Sequence, residues 1–155
     1  FSVPVAGWMF SLSGEIAVDR KDSRAGAKAL IQTVRYIENG FCVVFFPEGT
    51  RSDGERLLRF QDGPFRIALK KGIPVLPVVV EGTGKLLPRN TMLFTGHKLF
   101  RVRMLPPVTT LAGEWEDAGA LRDEVHRRMQ SALDSMLAND GVARASSVRE
   151  PLTTA

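Results

Sequence analysis

The chain has 155 residues, of which 44% are apolar and 25% are charged, as is ordinary for a globular domain with a real core. Its single cysteine, Cys42, excludes an internal disulfide, and two histidines without a Cys/His cluster argue against a structural zinc site, so no metal is expected. The net charge of +4 suits anionic partners such as phosphate headgroups, a membrane surface or nucleic acid, but does not choose among them.

The first residues, Phe1–Leu12, are mostly apolar and predict a helix. Packing of this helix on a core is favoured over an interfacial position on lipid, because no lysine or arginine lines the segment. No stretch of the chain reaches the roughly 18–20 apolar residues of a transmembrane helix. Because the chain opens with Phe1 inside an apolar segment, we expect a natural amino terminus further upstream.

A strand, a helix and a second strand are predicted next. Residues 15–20 alternate polar and apolar side chains, and apolar residues at helical spacing follow over residues 24–38, up to Asn39-Gly40. The unbroken apolar run 41–46, with Cys42 inside it, predicts a buried central strand. This order predicts a right-handed parallel crossover, and therefore an α/β fold with a mostly parallel central sheet flanked by helices.

Polar and special residues follow that strand directly, in the order Pro47-Glu48-Gly49-Thr50-Arg51. Pro47 has no amide hydrogen for a ladder and marks the exit of the strand. Gly49 allows either a tight turn or the close approach of a ligand to the backbone. The remaining polar side chains would share one small volume at the carboxyl end of a strand, where open α/β sheets bind ligands. From the residues alone, a Glu–Arg ion pair that merely caps the strand end stays an open alternative.

The middle of the chain predicts a loop, a short helix and a short strand. Ser52–Gln61 is polar and predicts the loop, and Gly63-Pro64 then opens a helix that reaches residue 71. Pro74 and Pro77 argue against a strand in the first part of the next apolar run, although residues 78–80 can still pair.

The last third predicts an edge strand and the clearest helix. Residues 98–105 alternate, which places Arg101 and Arg103 on one face that we expect to be solvated rather than in contact with a ligand. An apolar stripe predicts a helix over residues 117–137, with His126 beside the stripe in a structural or solvated position.

Asn139-Asp140-Gly141 is predicted to end this helix, and small polar residues follow. The chain is therefore expected to hold one domain over residues 1–138 and a disordered tail over residues 139–155.

Three segments resemble the sequence blocks of one family. The string Phe46–Ser52 is similar to the third block of the glycerolipid acyltransferases, the family of 1-acylglycerol-3-phosphate O-acyltransferase. Gly14–Arg20 resembles the second block, and the proline-containing, valine-rich run Ile73–Thr83 resembles the fourth. The resemblance implies an amino-terminally truncated acyltransferase domain over residues 1–138, with a glycerol-3-phosphate acyltransferase-like fold.

The resemblance also implies which residues meet the substrate. Arg20 and Arg51 would hold the acceptor phosphate, because a guanidinium fork bonds two phosphate oxygens at once. Glu48 would hold an acceptor hydroxyl or lock one guanidinium, and Gly49 and Thr50 complete the substrate-binding set. Five further residues would shape the site: Gly14, Pro47, Ser52, Gly63 and Pro77.

The first block of the family, a His-x4-Asp pair whose histidine is the general base, has no counterpart here. His97 is followed five residues on by Val102, and His126 by Ser131. A positioned base is worth roughly 10²–10⁴-fold to a reaction of this kind. We therefore expect no catalytic residue in this fragment, no activity of the 155 residues alone, and a His-x4-Asp pair encoded upstream.

The implied full-length protein moves a fatty acyl group from acyl-CoA or acyl-carrier protein to 1-acylglycerol-3-phosphate, making phosphatidic acid without a cofactor. Glycerol-3-phosphate or another lysophospholipid is an alternative acceptor, and a catalytically inactive lipid- or phosphate-binding domain is an alternative of another class. The expected partners are lysophosphatidate, the acyl thioester and a membrane surface, with no nucleic acid. The expected location is at a membrane, with the active site facing the cytoplasm or the equivalent compartment of an organelle.

Overall fold

The computed structural model describes Ile16 and residues 23–50, 52, 54–83 and 100–147. The chain divides into two compact units, Phe1–Phe45 and Phe46–Ala155. The described elements, in chain order, are helix α1 (Ser23–Glu38), helix α2 (Gly63–Lys71), strand β1 (Val78–Glu81), strand β2 (Arg101–Met104) and helix α3 (Ala118–Ser147).

Helix α1 is the described helix of the first unit, and it confirms the prediction for residues 24–38. Its buried positions are Ala29 and Thr33, whose hydroxyl donates to the Ala29 carbonyl at 2.9 Å. Ile31, predicted to lie on the apolar face, is 59% exposed. The helix ends at Asn39-Gly40 as predicted, where the Phe41 amide donates back to the Tyr36 carbonyl at 3.0 Å.

The apolar run that follows α1 does not form the predicted strand. Residues 41–46 lie in neither helix nor strand, and Val44 and Phe46 are 80% and 85% exposed. Cys42, predicted to be buried, is also exposed. A strand is held by ladder hydrogen bonds to a neighbour, and no strand within the described ranges pairs with this run. The prediction of a buried central strand in a parallel crossover is therefore wrong for this segment.

Helix α2 begins and ends where the sequence predicted. Pro64 stands in its first turn, where a missing amide hydrogen costs nothing. Gly72 adopts the left-handed conformation just after the helix (φ 62°, ψ 31°), and its amide donates to the carbonyls of Ala68 and Leu69. This turn stops the helix and sends the chain towards β1.

Strands β1 and β2 form an antiparallel ribbon in which Val78 lies opposite Met104 and Glu81 lies opposite Arg101. The predicted pairing of residues 78–80 is confirmed. The ribbon continues towards the proline-rich side through a bridge between Val75 and Val108, with N–O distances of 2.8 and 2.9 Å. Pro77 lacks a donor but still takes part, because its carbonyl accepts from the Leu105 amide at 2.9 Å.

The two faces of the ribbon are reversed from the sequence expectation. The arginines of β2 were expected to face solvent, but Arg101 donates to Glu81 at 3.1–3.2 Å and to the Met136 carbonyl of α3 at 2.9 Å. Glu81 is only 4% exposed. The opposite face is apolar and partly open to solvent, and it consists of Val78, Val80, Val102 and Met104. The reason is that α3 offers hydrogen-bond partners to the arginine face.

Helix α3 packs against both α2 and β1 and forms the core of the second unit. It begins after Asp117, whose carboxylate accepts from the Ala120 amide at 2.8 Å, a standard N-cap bond. One core cluster joins Leu121 and Val125 to Phe60 and Phe65, and a second joins Leu133 and Met136 to Val79, so the predicted apolar stripe is confirmed.

The predicted end of α3 is wrong, because the helix continues through Asn139-Asp140-Gly141 to Ser147. One glycine inside a helix costs only about 1 kcal/mol, and the alanines on either side are strong helix formers. Residues 148–155 of the predicted disordered tail lie outside the described residues. Within the described ranges no helix has both the length and the hydropathy needed to cross a membrane.

Candidate functional site

The residues after the apolar run form a tight turn. The Gly49 amide donates to the Phe46 carbonyl at 3.0 Å, and Gly49 has a φ of +68°, in the left-handed region that disfavours any residue with a Cβ. A Cβ at this position would lie 3.9 Å from Cγ of Gln61, an ordinary contact. Of the two roles that the sequence left open for Gly49, the geometry therefore supports the turn.

The turn is fixed from one side by the segment of residues 57–61. The Glu48 carboxylate accepts from the Leu58 amide through Oε2 at 2.8 Å. The Gln61 amide donates to the Pro47 carbonyl, also at 2.8 Å. Glu48 was expected to hold an acceptor hydroxyl or a guanidinium. Among the described residues its carboxylate accepts from a backbone amide, and since Arg20 and Arg51 lie outside those residues, the expected role stays a prediction.

The described members of the predicted set lie at three places. Pro47, Glu48, Gly49 and Thr50 share the turn, with Thr50 exposed to solvent. Ser52 lies just beyond it and is half-buried, and Gly63 is the first residue of α2. Pro77 lies apart from the turn in sequence, beside β1. Three predicted residues, Gly14, Arg20 and Arg51, lie outside the described residues, as do the predicted helix Phe1–Leu12 and all of the predicted strand 15–20 except Ile16.

Helix α3 holds the other side of the 57–61 segment. Gln130 accepts from the Leu57 amide through Oε1 at 2.9 Å, and Nε2 of His126 lies 3.2 Å from the Leu58 carbonyl. Phe60 anchors the segment in the core, where it is 3% exposed and meets the His126 ring edge to face at 4.7 Å. Sequence reasoning assigned His126 a structural or solvated position and missed Gln130, because nothing in the helical pattern shows which backbone amide a polar side chain will meet.

A depression of about 400 Å³ lies beside this segment, and it is lined by Leu57, Arg59, Phe60, Arg122, Asp123 and His126. Arg122 donates to both Asp123 and Asp62, and these two carboxylates raise the pKa of Arg122 further above its ordinary value. In return, the hydrogen bond from Arg122 lowers the pKa of Asp123. Because two carboxylates already match the Arg122 charge, Arg122 is poorly suited to bind a phosphate in this depression.

The described part of the site offers hydrogen-bonding groups but does not contain a family-type base. The turn offers the Thr50 hydroxyl and its exposed backbone at a conformation set by Gly49. His126 is the histidine within the described ranges, and its Nε2 must carry a hydrogen because a carbonyl only accepts. That nitrogen is therefore directed at Leu58 rather than at a substrate.

Comparison with known proteins gives the same family as the sequence blocks. Residues 1–81 match the family model described as Acyltransferase. A chloroplastic 1-acyl-sn-glycerol-3-phosphate acyltransferase of Brassica napus is 39% identical over 108 residues, which are 70% of this chain and 31% of the relative. The 1-acyl-sn-glycerol-3-phosphate acyltransferase of Salmonella typhimurium is 36% identical over 108 residues, or 68% of this chain and 42% of the relative.

A solved structure is also similar. The crystal structure of the 1-acyl-sn-glycerophosphate acyltransferase PlsC from Thermotoga maritima matches with a TM-score of 0.62 and 32% identity, and it covers 71% of this chain and 44% of that chain. The predicted α/β acyltransferase fold is thereby confirmed. The chain spans about a third to a half of the length of these relatives. With the family model matched over more than half of its residues, the chain belongs to the acyltransferase family, of the 1-acylglycerol-3-phosphate acyltransferase type.

Proposed function

We propose that the full-length protein transfers a fatty acyl group from an acyl thioester to the free hydroxyl of 1-acylglycerol-3-phosphate, with phosphatidic acid as the product. The observation that carries the proposal is the turn Pro47–Thr50, in which a left-handed Gly49 and a Glu48–Leu58 hydrogen bond fix the family's third sequence block. The names of the relatives, all acyltransferases acting on 1-acyl-sn-glycerol-3-phosphate, support the acceptor. The donor is proposed to be acyl-CoA or acyl-carrier protein, with no cofactor.

The reaction needs a base and an anion site. The acceptor oxygen attacks the thioester carbonyl carbon, the carbon–sulfur bond breaks, and the hydroxyl proton passes through the base to the departing thiolate. We assign the acceptor phosphate to Arg51 and Arg20, because Glu48 carries a negative charge that would repel it. The base is proposed to be the histidine of a His-x4-Asp pair in the full-length protein, and the 155 residues alone are proposed to be inactive.

The acceptor and product are lipids, so the proposal includes attachment of the full-length protein to a membrane surface. The enzyme would act where lysophosphatidate is exposed, and its site would face the compartment that holds the acyl thioester. Sedimentation with vesicles that contain lysophosphatidate tests this part. Recovery of the full-length protein only in the supernatant would contradict it.

The central experiment follows thiol release by the full-length protein from acyl-CoA with each acceptor in turn. We expect release that depends on lysophosphatidate and matches phosphatidic acid formation mole for mole. Thiol release with glycerol-3-phosphate alone would show that the alternative acceptor is the substrate. Binding of lysophosphatidate without any thiol release, from either donor, would favour the inactive lipid-binding domain. A parallel assay of the 155-residue chain should show no release.

A further inference from the structure

Two polar side chains of helix α3 bond to a non-helical backbone. Gln130 receives the Leu57 amide hydrogen through Oε1 and donates through Nε2 to Asp134 at 2.8 Å. Because Asp134 as a carboxylate only accepts, it fixes which end of the Gln130 amide faces Leu57. One helical turn earlier, His126 donates from Nε2 to the Leu58 carbonyl at 3.2 Å. The helix therefore holds two consecutive residues of the 57–61 segment, one through its donor and one through its acceptor.

The same segment holds the turn of the candidate site. Leu58 gives its amide hydrogen to Glu48 while its carbonyl accepts from His126. Gln61 gives its amide hydrogen to the Pro47 carbonyl. The segment itself lies in neither helix nor strand, so these side-chain bonds replace the ladder that a regular element would supply.

We propose that Gln130 and His126 are positioning residues for the acyl acceptor, acting through the 57–61 segment on the turn Pro47–Thr50. The inference rests on the proposed function, since it takes the turn to be part of the acceptor site. The physical reason is that these hydrogen bonds change the fraction of molecules in which the turn is correctly formed. Losing one such bond shifts the equilibrium between the held and the released segment roughly 2–10-fold towards release, which lowers the fraction of molecules whose turn is correctly formed. The apparent affinity for the acceptor falls by that fraction.

The test uses variants of the full-length protein that remove one bond and keep the shape. Gln130→Leu removes the acceptor for Leu57, while the double variant Gln130→Glu, Asp134→Asn keeps an acceptor oxygen and reverses the bond to the neighbour. His126→Phe keeps the aromatic contact with Phe60 but has no donor, while His126→Gln restores a donor. Ser131→Ala, at an exposed position on the same helix, is the matched control.

Two readouts are measured on each variant. The first is amide hydrogen exchange in peptides that cover residues 46–61, and the second is KM for lysophosphatidate and for the acyl donor. We expect Gln130→Leu and His126→Phe to speed exchange and to raise the acceptor KM roughly 2–10-fold, with the donor KM unchanged. The double variant, His126→Gln and Ser131→Ala should each show exchange rates and KM values close to those of the parent protein.

The outcomes separate this inference from the proposed function. Faster exchange with an unchanged acceptor KM would refute the role of Gln130 and His126 in positioning the acceptor. Unchanged exchange would refute the claim that the hydrogen bonds from α3 stabilise the 57–61 segment. Equal changes in both KM values would show a merely structural role. A parent protein without lysophosphatidate-dependent thiol release refutes the proposed function instead. In that case the exchange measurement alone decides whether the helix fixes the turn.

Discussion

Substitution of Gly49 separates two reasons for a glycine in the turn. Gly49 has a φ of +68°, and an added Cβ would meet Cγ of Gln61 at 3.9 Å. The cost of Gly49→Ala is therefore backbone strain and not a clash, and strain of this kind is roughly 1–2 kcal/mol. If the strained turn opens, the same energy shifts the equilibrium between formed and opened turn about 5–30-fold towards the opened form. We expect the acceptor KM of the full-length protein to rise by up to that factor.

The variant Gly49→Asn decides the matter, because asparagine tolerates the left-handed region better than alanine but has a longer side chain. We expect it to lie between glycine and alanine in acceptor KM and in the free energy of unfolding. Gly113→Ala is the control, since Gly113 is also left-handed (φ +87°), has nothing within 4 Å of an added Cβ, and lies in the loop before α3. It should lose stability with no change in KM. If Gly49→Asn proves worse than Gly49→Ala, the close approach of a ligand, and not the turn, explains the glycine.

Four further outcomes can be measured. Arg51→Ala in the full-length protein should raise the acceptor KM by the equivalent of about 1–3 kcal/mol. The control Arg66→Gln, at a side chain that is 74% exposed, should leave the acceptor KM unchanged. A change confined to the donor KM would contradict the assignment of Arg51. Leu121→Ala should lower the free energy of unfolding by about 2–5 kcal/mol, because Leu121 is 0% exposed. The control Leu111→Ala, at a residue 62% exposed, should change that free energy little. Unfolding is followed by Trp115 fluorescence in a Trp8→Phe background, and equal losses in the two variants would disprove the packing. Hydrogen bonds from Arg127 and then Arg128 lower the pKa of Glu124 from 4.5 to about 2. The contribution of Glu124 to stability is therefore complete above pH 4.5 and is lost as the pH falls towards 2. Carbon-detected NMR titration should give that pKa, and Glu124→Gln should reduce the dependence of the free energy of unfolding on pH in this acid range. Cys42 in the 155-residue chain is exposed and should react with a maleimide under native conditions. Labelling that waits for denaturant would show that the 41–46 run is buried.

Much of the fold could be predicted from local pattern. Helices α1 and α2 begin and end at the predicted turns because Gly40 and Gly72 stop them through short-range backbone bonds. The stripe of α3 was predicted because its periodicity depends only on spacing. Apart from the end of α3, where a local signal failed, the wrong predictions concern partners distant in sequence. The run 41–46 has the composition of a buried strand, but a strand needs a neighbour, and composition does not name one.

In the candidate site, too, the local features could be predicted from the sequence and the partners distant in sequence could not. The string Phe46–Ser52 marked the turn because a proline restricts the backbone and a glycine permits its left-handed conformation. The partner of Glu48 could not be predicted, because the Leu58 amide reaches the carboxylate only after the loop folds back. Gln130 and His126 lie still further away in sequence, and a polar residue beside a helical stripe looks the same whether it meets solvent or a backbone amide.

The Glu81–Arg101 pair has a consequence for how the β1–β2 ribbon selects its alignment. Both faces of β1 carry valine, with Val79 against α3 and Val78 and Val80 outside. A shift by one residue would exchange these faces at little cost in apolar burial, so hydrophobicity alone discriminates poorly between the two alignments. The shift would, however, turn the Glu81 carboxylate away from Arg101, which also donates to the Met136 carbonyl of α3. One charged pair thus specifies the alignment that the three valines of β1 leave ambiguous.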